Sequence, residues 1–227
     1  MQSLNNLQRN YRAHRHTYPE PFRLRIHRAL SWLGKAQVEL SEDMGLSEKD
    51  LDTGFIILWI AFNAVYAKDT ELLSIGDRGS FRDFLNTICR LDNEKRLYSL
   101  VWGKFSSSIR LLLDNRYVFQ PFWDFHNGKI SETVWLDQFS KAKKKAHRAL
   151  VEQDTESVLS VVFDRLYTLR NQIVHGGATY ASSSNRRQLQ DACAFLGECV
   201  MLIVEVMLQY PDHQIWGKPF YPYVKED

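Results

Sequence analysis

Apolar positions recur with a helical period along most of the chain, and strand-like alternation is almost absent outside "RYVFQPFWDF" at 116–125. The pattern predicts an all-α protein: a multi-helix up-and-down bundle with one irregular, aromatic-rich insert. Helices are expected over about 22–40, 53–68, 80–98, 100–113, 131–150, 155–175 and 185–209. The segment 53–68 is apolar nearly all round, as befits the central member of a bundle. A basic amphipathic lead (residues 4–16, within 1–18) precedes Pro19 and Pro21, and turn-rich connectors are read at 41–54 and 69–80. The insert "NRYVFQPFWDFHNGK" (115–129) contains Pro121 and Gly128 and is expected to be a loop or short hairpin packed by its own rings. In the last long helix Leu189, Cys193, Leu196, Val200, Ile203 and Met207 form an apolar stripe, and 210–227 reads as an extended tail lying on the bundle. No internal repeat or low-complexity tract breaks the chain, so 1–227 is read as a single domain.

Composition adds limits. The chain is 44% hydrophobic and 25% charged, which is ordinary globular composition. Its net charge of +2 gives no molecule-wide field toward nucleic acid, so any basic surface must come from local clustering. Cys89, Cys193 and Cys199 show no metal-type spacing, and their odd number fits reduced thiols. The start "MQSLNNLQRNYRAHRH" lacks an apolar leader core, "FIILWIAFNAVYA" (55–67) is too short to span a bilayer, and "VMLIVEVML" carries Glu205. A soluble, cytoplasmic protein without membrane contact is expected. No Walker loop, dinucleotide fingerprint, serine elbow or HExxH pattern is present.

Chemistry concentrates in "DRLYTLRNQIVHGGATY" (164–180). At 100° per residue, Val162, Leu166, Leu169 and Ile173 share a narrow sector that should face the bundle. Asp164, Thr168, Asn171 and His175 fall on the opposite side, with Arg170 on the flank between. His175, in the last turn before Gly176 and Gly177, also suits a plain structural role near the negative end of the macrodipole with a glycine stop behind it. Spacing leaves both roles open. If the group does chemistry, Arg170 and His175 are separated by about 7.5 Å of helix rise and suit the flanks of a phosphate. The imidazole would move a proton, and the guanidinium would hold phosphate oxygens as negative charge builds. Asn171, one turn before His175, would orient the ring or a substrate oxygen. This set calls for no metal and no cofactor.

Other clusters have two readings each. Lys141, Lys143, Lys144, Lys145 and Arg148 in "KAKKKAHR", and Arg9, Arg12 and Arg15 in the lead, suit either contact with an RNA backbone or a solvated helix face. His14 and His16 flank Arg15 without a third ligand and make a poor metal site. Phe119, Phe122, Trp123 and Phe125 suit base stacking or a satellite core. Asn63, alone among apolar neighbours, is read as a hydrogen-bonded core residue or as support for the motif.

The "RNQIVH" segment, Arg170–His175, resembles the arginine-to-histidine signature of the HEPN superfamily, and "FIILWIAFNAVYA" is similar to the tryptophan-containing second helix of its Apea-like group. The resemblance covers about 50–68 and 155–209. It implies a metal-independent endoribonuclease working as a homodimer, with two motif helices meeting at a two-fold axis and RNA between them. The implied reaction is attack of a ribose 2′-hydroxyl on the adjacent phosphate, with His175 as general acid or base and Arg170 stabilising the five-coordinate phosphorus. A toxin or antiviral-defence setting follows, with an antitoxin or other defence-system partner. The other reading is a catalytically inactive HEPN bundle that binds a nucleotide, RNA or protein as sensor or scaffold. HEPN toxins paired with nucleotidyltransferase antitoxins carry a modified tyrosine two residues after the histidine. Gly177 stands there, and Tyr180 is the nearest tyrosine, so adenylylation at this site is not expected.

Overall fold

In the computed structural model, which describes residues 3–41, 50–68, 77–183, 186–219 and 221–224, no strand is seen among the described residues. An isolated bridge pairs Lys68 with Pro219. The α-helices are α1 (Leu4–His14), α2 (Glu20–Glu39), α3 (Leu51–Tyr66), α4 (Asp77–Leu91), α5 (Arg96–Ser99), α6 (Ser106–Asp114), α7 (Gln120–His126), α8 (Glu132–Val151), α9 (Thr155–Val174) and α10 (Arg186–Gln209). The all-α class expected from periodicity is therefore observed. The connectors read at 41–54 and 69–80 lie largely outside the described residues. No helix of the described residues is long and apolar enough to cross a membrane. The chain divides into two compact units, Met1–Asn93 with Leu189–Asp227, and Glu94–Gln188.

The first unit is built on the α2–α3 pair. Pro21 sits in the first turn of α2, where its missing N–H is no loss. From there Phe22, Ile26, Ala29, Leu30, Leu33 and Ala36 face inward at three- and four-residue steps. The Asp50 side chain accepts from the Thr53 N–H at 3.0 Å and caps α3, which buries residues on nearly every side, as its pattern predicted. On α2, Arg25 is also fully buried. Its guanidinium donates to the carbonyls of Ala64 (3.2 Å), Val65 (3.0 Å) and Ala67 (2.8 Å) at the end of α3, and to Lys218 (3.2 Å) in the tail. Those terminal carbonyls have no partner inside the helix and carry the negative end of its dipole, which explains a cation there. Burial, with Arg28 nearby, pulls the Arg25 guanidinium down to about 10.

Also in this unit, Cys193 and Cys199 are buried in α10, and burial pushes the Cys199 thiol up. The expected hydrogen bond of Asn63 is not formed at its carbonyl oxygen, which is enclosed without a partner. The tail is held by more than extended contact: Trp216, 3% exposed in a short 3₁₀ turn, packs on Phe84 and donates to the Tyr210 carbonyl at 2.7 Å.

Two expectations are corrected, one at the end of the first unit's α4 and one in the second unit. The helix expected over 80–98 stops at Leu91, because the chain turns at "DNEK" and Lys95 takes a left-handed conformation, φ 54°. The aromatic insert is not a loop or hairpin: a 3₁₀ turn at Arg116–Val118 leads directly into α7. Pro121, read as a breaker, occupies the first turn of that helix. The rings form a satellite core, with Phe122 buried against Trp123 and Trp135 at 5.3 Å each. Phe119 packs on Phe139, and the buried Arg165 lies over the Phe119 face at 4.4 Å.

Candidate active site

Helix α9 begins under an Asp154 cap that accepts from the Ser157 N–H at 3.1 Å, and the Ser157 hydroxyl, helped by the backbone N–H groups of Ser157 and Glu156, holds the Asp154 carboxyl below its usual range. The helix ends in a Schellman turn. Gly177 N–H donates to the Gln172 carbonyl at 2.7 Å, and Gly176 N–H to Ile173 at 3.2 Å. Gly176 adopts φ +68°, a conformation that glycine takes at no steric cost. His175 is the C-cap of this turn, exposed, with its backbone N–H on the Asn171 carbonyl at 3.0 Å. The glycines thus fix where the histidine leaves the helix.

The other motif residues sit as follows. Arg170 is half-buried and donates through Nη1 to Asn171 Oδ1 at 2.9 Å. Asn171 therefore orients the arginine, and among the described residues no hydrogen bond reaches the His175 ring. The outward polar stripe is only partly present. Thr168 is 2% exposed, and its hydroxyl donates to the Asp164 carbonyl at 3.2 Å, so other elements of the unit cover that side of α9. The side expected to pack is buried at Val162, Leu166 and Leu169, with Ile173 half-buried.

The basic run lies elsewhere on the same unit. Helices α8 and α9 are joined by the short turn at 152–154, and Phe139 stands 6.0 Å from Arg165. In such an antiparallel pair, four residues forward on α8 is four back on α9, so Lys143 comes level with position 161. That is about fourteen residues, or roughly 21 Å of rise, from His175. Lys141 pairs with Asp137 (2.7 Å), Lys143 with Asp114 (2.9 Å) and Arg148 with Glu152 (2.8 Å), all at exposed positions. Glu152 raises Arg148 by hydrogen bond and charge. Exposed pairs of this kind contribute about 0–1 kcal/mol and exchange readily for phosphate. Lys143 and Lys144 line a groove of about 430 Å³ between α6 and α8 with Arg110 and His147. Lys145 is exposed, and its charge helps lower Asp154.

The segment that does adjoin the motif is the Asn115–Val118 elbow. The Tyr117 carbonyl accepts from Gln172 Nε2 at 2.5 Å and from Trp123 Nε1 at 2.8 Å, while Asn115 Oδ1 accepts from the Tyr117 N–H at 2.8 Å. The backbone is pinned from three directions, and the side chains of Arg116 and Tyr117 are left exposed, with Arg116 5.0 Å from the ring centre of Tyr117. Sequence reasoning selected Phe119, Phe122, Trp123 and Phe125 in this stretch and passed over Tyr117. Hydrophobicity marks the buried rings and gives no sign of the exposed one.

The fold and site together define an all-α protein whose α9 ends with half-buried Arg170 and Asn171 and an exposed His175, beside an aromatic-cationic elbow. Comparison with family models, with curated proteins and with solved structures finds no match.

Proposed function

We propose that the chain is a metal-independent endoribonuclease of the HEPN type, acting in the cytoplasm as a homodimer in a toxin or antiviral-defence role. The observation that carries this reading is the exposed His175, set by a Schellman turn at the end of α9, with Arg170 presented by Asn171 one turn earlier. In the reaction the RNA 2′-hydroxyl gives up its proton and its oxygen bonds to the neighbouring phosphorus. The bond from phosphorus to the 5′-oxygen breaks, and that oxygen takes a proton. The products are a 2′,3′-cyclic phosphate and a 5′-hydroxyl. An imidazole serves one proton transfer in the transition state, and His175 of a second copy serves the other. Arg170 holds the phosphate oxygens as charge builds. Lys144, Lys145 and Arg110 would contact the backbone, as would Lys141, Lys143 and Arg148 once released from their pairing.

Purified protein with RNA in excess EDTA should yield cyclic-phosphate ends. His175→Ala should lower the rate by about 10²- to 10⁴-fold. Absence of cleavage of any RNA at high protein concentration removes the proposal. A second reading, a catalytically inactive bundle that binds RNA, a nucleotide or a protein partner such as an antitoxin, draws on the same geometry. The Schellman turn accounts for His175 and the glycines structurally, and Arg170 already has a partner in Asn171. Induced expression separates the two: growth arrest by wild type and none by R170A/H175A supports the enzyme, and equal growth supports the binding module.

A further inference from the structure

The elbow between α1 and α2 gathers positive charge that the ribonuclease reading does not use. Leu4, Leu7 and Tyr11 are buried on one side of α1, which packs on α2, and a 3₁₀ turn at Arg15–Thr17 joins the two helices. A pocket of about 600 Å³ opens at that corner. Arg15 and His16 enter it from the turn, and Arg23 and His27 from α2, with Glu20 contributing a carboxylate. A smaller pocket of about 190 Å³ shares Arg15 and His27 and adds Arg12. Both pockets are lined by Tyr11 and together form one trough.

The floor is fixed. The Tyr11 ring is 3% exposed, its hydroxyl donates to the Arg23 carbonyl at 2.9 Å, and the Tyr18 and His27 rings lie nearly parallel to it at 6.3 Å. Arg28 donates to the Tyr221 carbonyl at 2.6 Å, which holds the tail where Tyr223 forms part of the wall. Three guanidiniums thus meet one lining carboxylate, a local excess of two positive charges. Among the described residues none of the three is seen in an ion pair. Like charges gathered on a concave, partly apolar surface repel one another, and an anion with more than one charge relieves that repulsion. Guanidinium is suited to this because its planar donors engage two phosphate oxygens at once. The volume is that of a small-molecule site.

We propose that the α1–α2 elbow is a binding site for a small molecule carrying two linked phosphates, held by Arg15 and Arg23 with Arg12 at the extension. The site is independent of the ribonuclease reading and stands or falls separately. Calorimetry on the full chain with inorganic pyrophosphate, orthophosphate and ADP tests it. Pyrophosphate should bind one per chain, with orthophosphate at least about tenfold weaker. The Arg15→Gln/Arg23→Gln double variant should lose about tenfold or more, and Lys104→Gln/Arg187→Gln, which removes the same charge elsewhere, should bind as wild type does. ADP tighter than pyrophosphate identifies an organic diphosphate whose ring uses the tyrosine faces; the reverse order identifies the inorganic ion. Amide shift changes on wild-type protein should cluster on residues 11–27, a readout that does not depend on the variant folding. No binding of either diphosphate, equal loss in both double variants, or shift changes centred on 141–148 overturns the proposal.

Discussion

Replacing Arg25 by methionine keeps a long apolar stem in the α2–α3 interface and deletes the buried guanidinium. Four carbonyls lose a charged donor, three of them at the end of α3 and one, Lys218, in the tail. Three of these acceptors share the two hydrogens of Nη1, so the set is worth about three full bonds; at about 1.5–3 kcal/mol for each bond to a charged group, the gross loss is of order 5–9 kcal/mol. Against this stands the desolvation of the cation. Its fall from the ordinary guanidinium value to about 10 corresponds to about 3 kcal/mol that the variant recovers. The sign is decided by the carbonyls, because methionine offers them nothing and they remain buried acceptors. A net loss of about 3–5 kcal/mol is expected, the range found when one partner of a buried charged network is removed. In urea this should lower the midpoint by about 1 M or more. Hydrogen exchange should accelerate at Ala67 and around residues 216–219. Arg25→Lys should fall between, since one ammonium cannot span four acceptors. A methionine variant with an unchanged or higher midpoint would refute the reasoning, because desolvation would then outweigh the hydrogen bonds.

Three other outcomes follow from local geometry. Gly176→Ala forces φ +68° on a residue with a Cβ but meets no atom within 4 Å; it should cost about 1–2 kcal/mol and sharply reduce RNA cleavage by moving His175. The matched Gly128→Ala, at φ +71° and equally open, should cost the same and leave cleavage intact; equal activity losses would detach the Schellman turn from function. Asp154→Ala should cost about 1 kcal/mol at pH 7. Because the folded Asp154 carboxyl titrates below 3.8, its contribution is fully present above that value and is lost as pH falls through the folded pKa, so wild-type and variant melts should converge there. Tyr117→Ala should raise KM for RNA about tenfold with kcat nearly unchanged, from the loss of one stacking contact; an unmoved KM excludes the elbow from substrate binding.

How much of this was legible in the sequence depended on the range of the deciding interaction. Helix α3 was readable because an all-round apolar pattern has one local meaning, and the end of α9 because His-Gly-Gly encodes its own hydrogen bonds. Arg25 was not, since its acceptors lie 39–42 and 193 residues away and within its own helix it reads as one more surface charge. Thr168 was placed outward because angle describes a helix relative to itself and not what the rest of the unit lays over its far side. In the insert, Pro121 carried a double message. It stops a helix that precedes it and starts one that follows, and the rings around it suit either.

The hairpin register bears on how RNA would be held. A strand in contact with both His175 and the groove of Lys143 and Lys144 on one chain must run along the α8–α9 hairpin for roughly 21 Å. Both lysines would then be too far from the reacting phosphate to stabilise its charge, and their exposure, with Lys143 in an exchangeable pair with Asp114, suits non-specific backbone contact. On the ribonuclease reading, choice of base would fall to the elbow, where Tyr117 and Arg116 stand exposed on backbone tied to Gln172. The two sets should therefore separate in assay. Neutralising the lysines flattens the salt dependence of binding without moving the cut, whereas altering Tyr117 changes which nucleotide is preferred. One exposed imidazole with no ionisable partner seen among the described residues can still serve only one of the two proton transfers, so on this reading catalysis rises with the concentration of the chain and not with the basic surface that gathers the substrate.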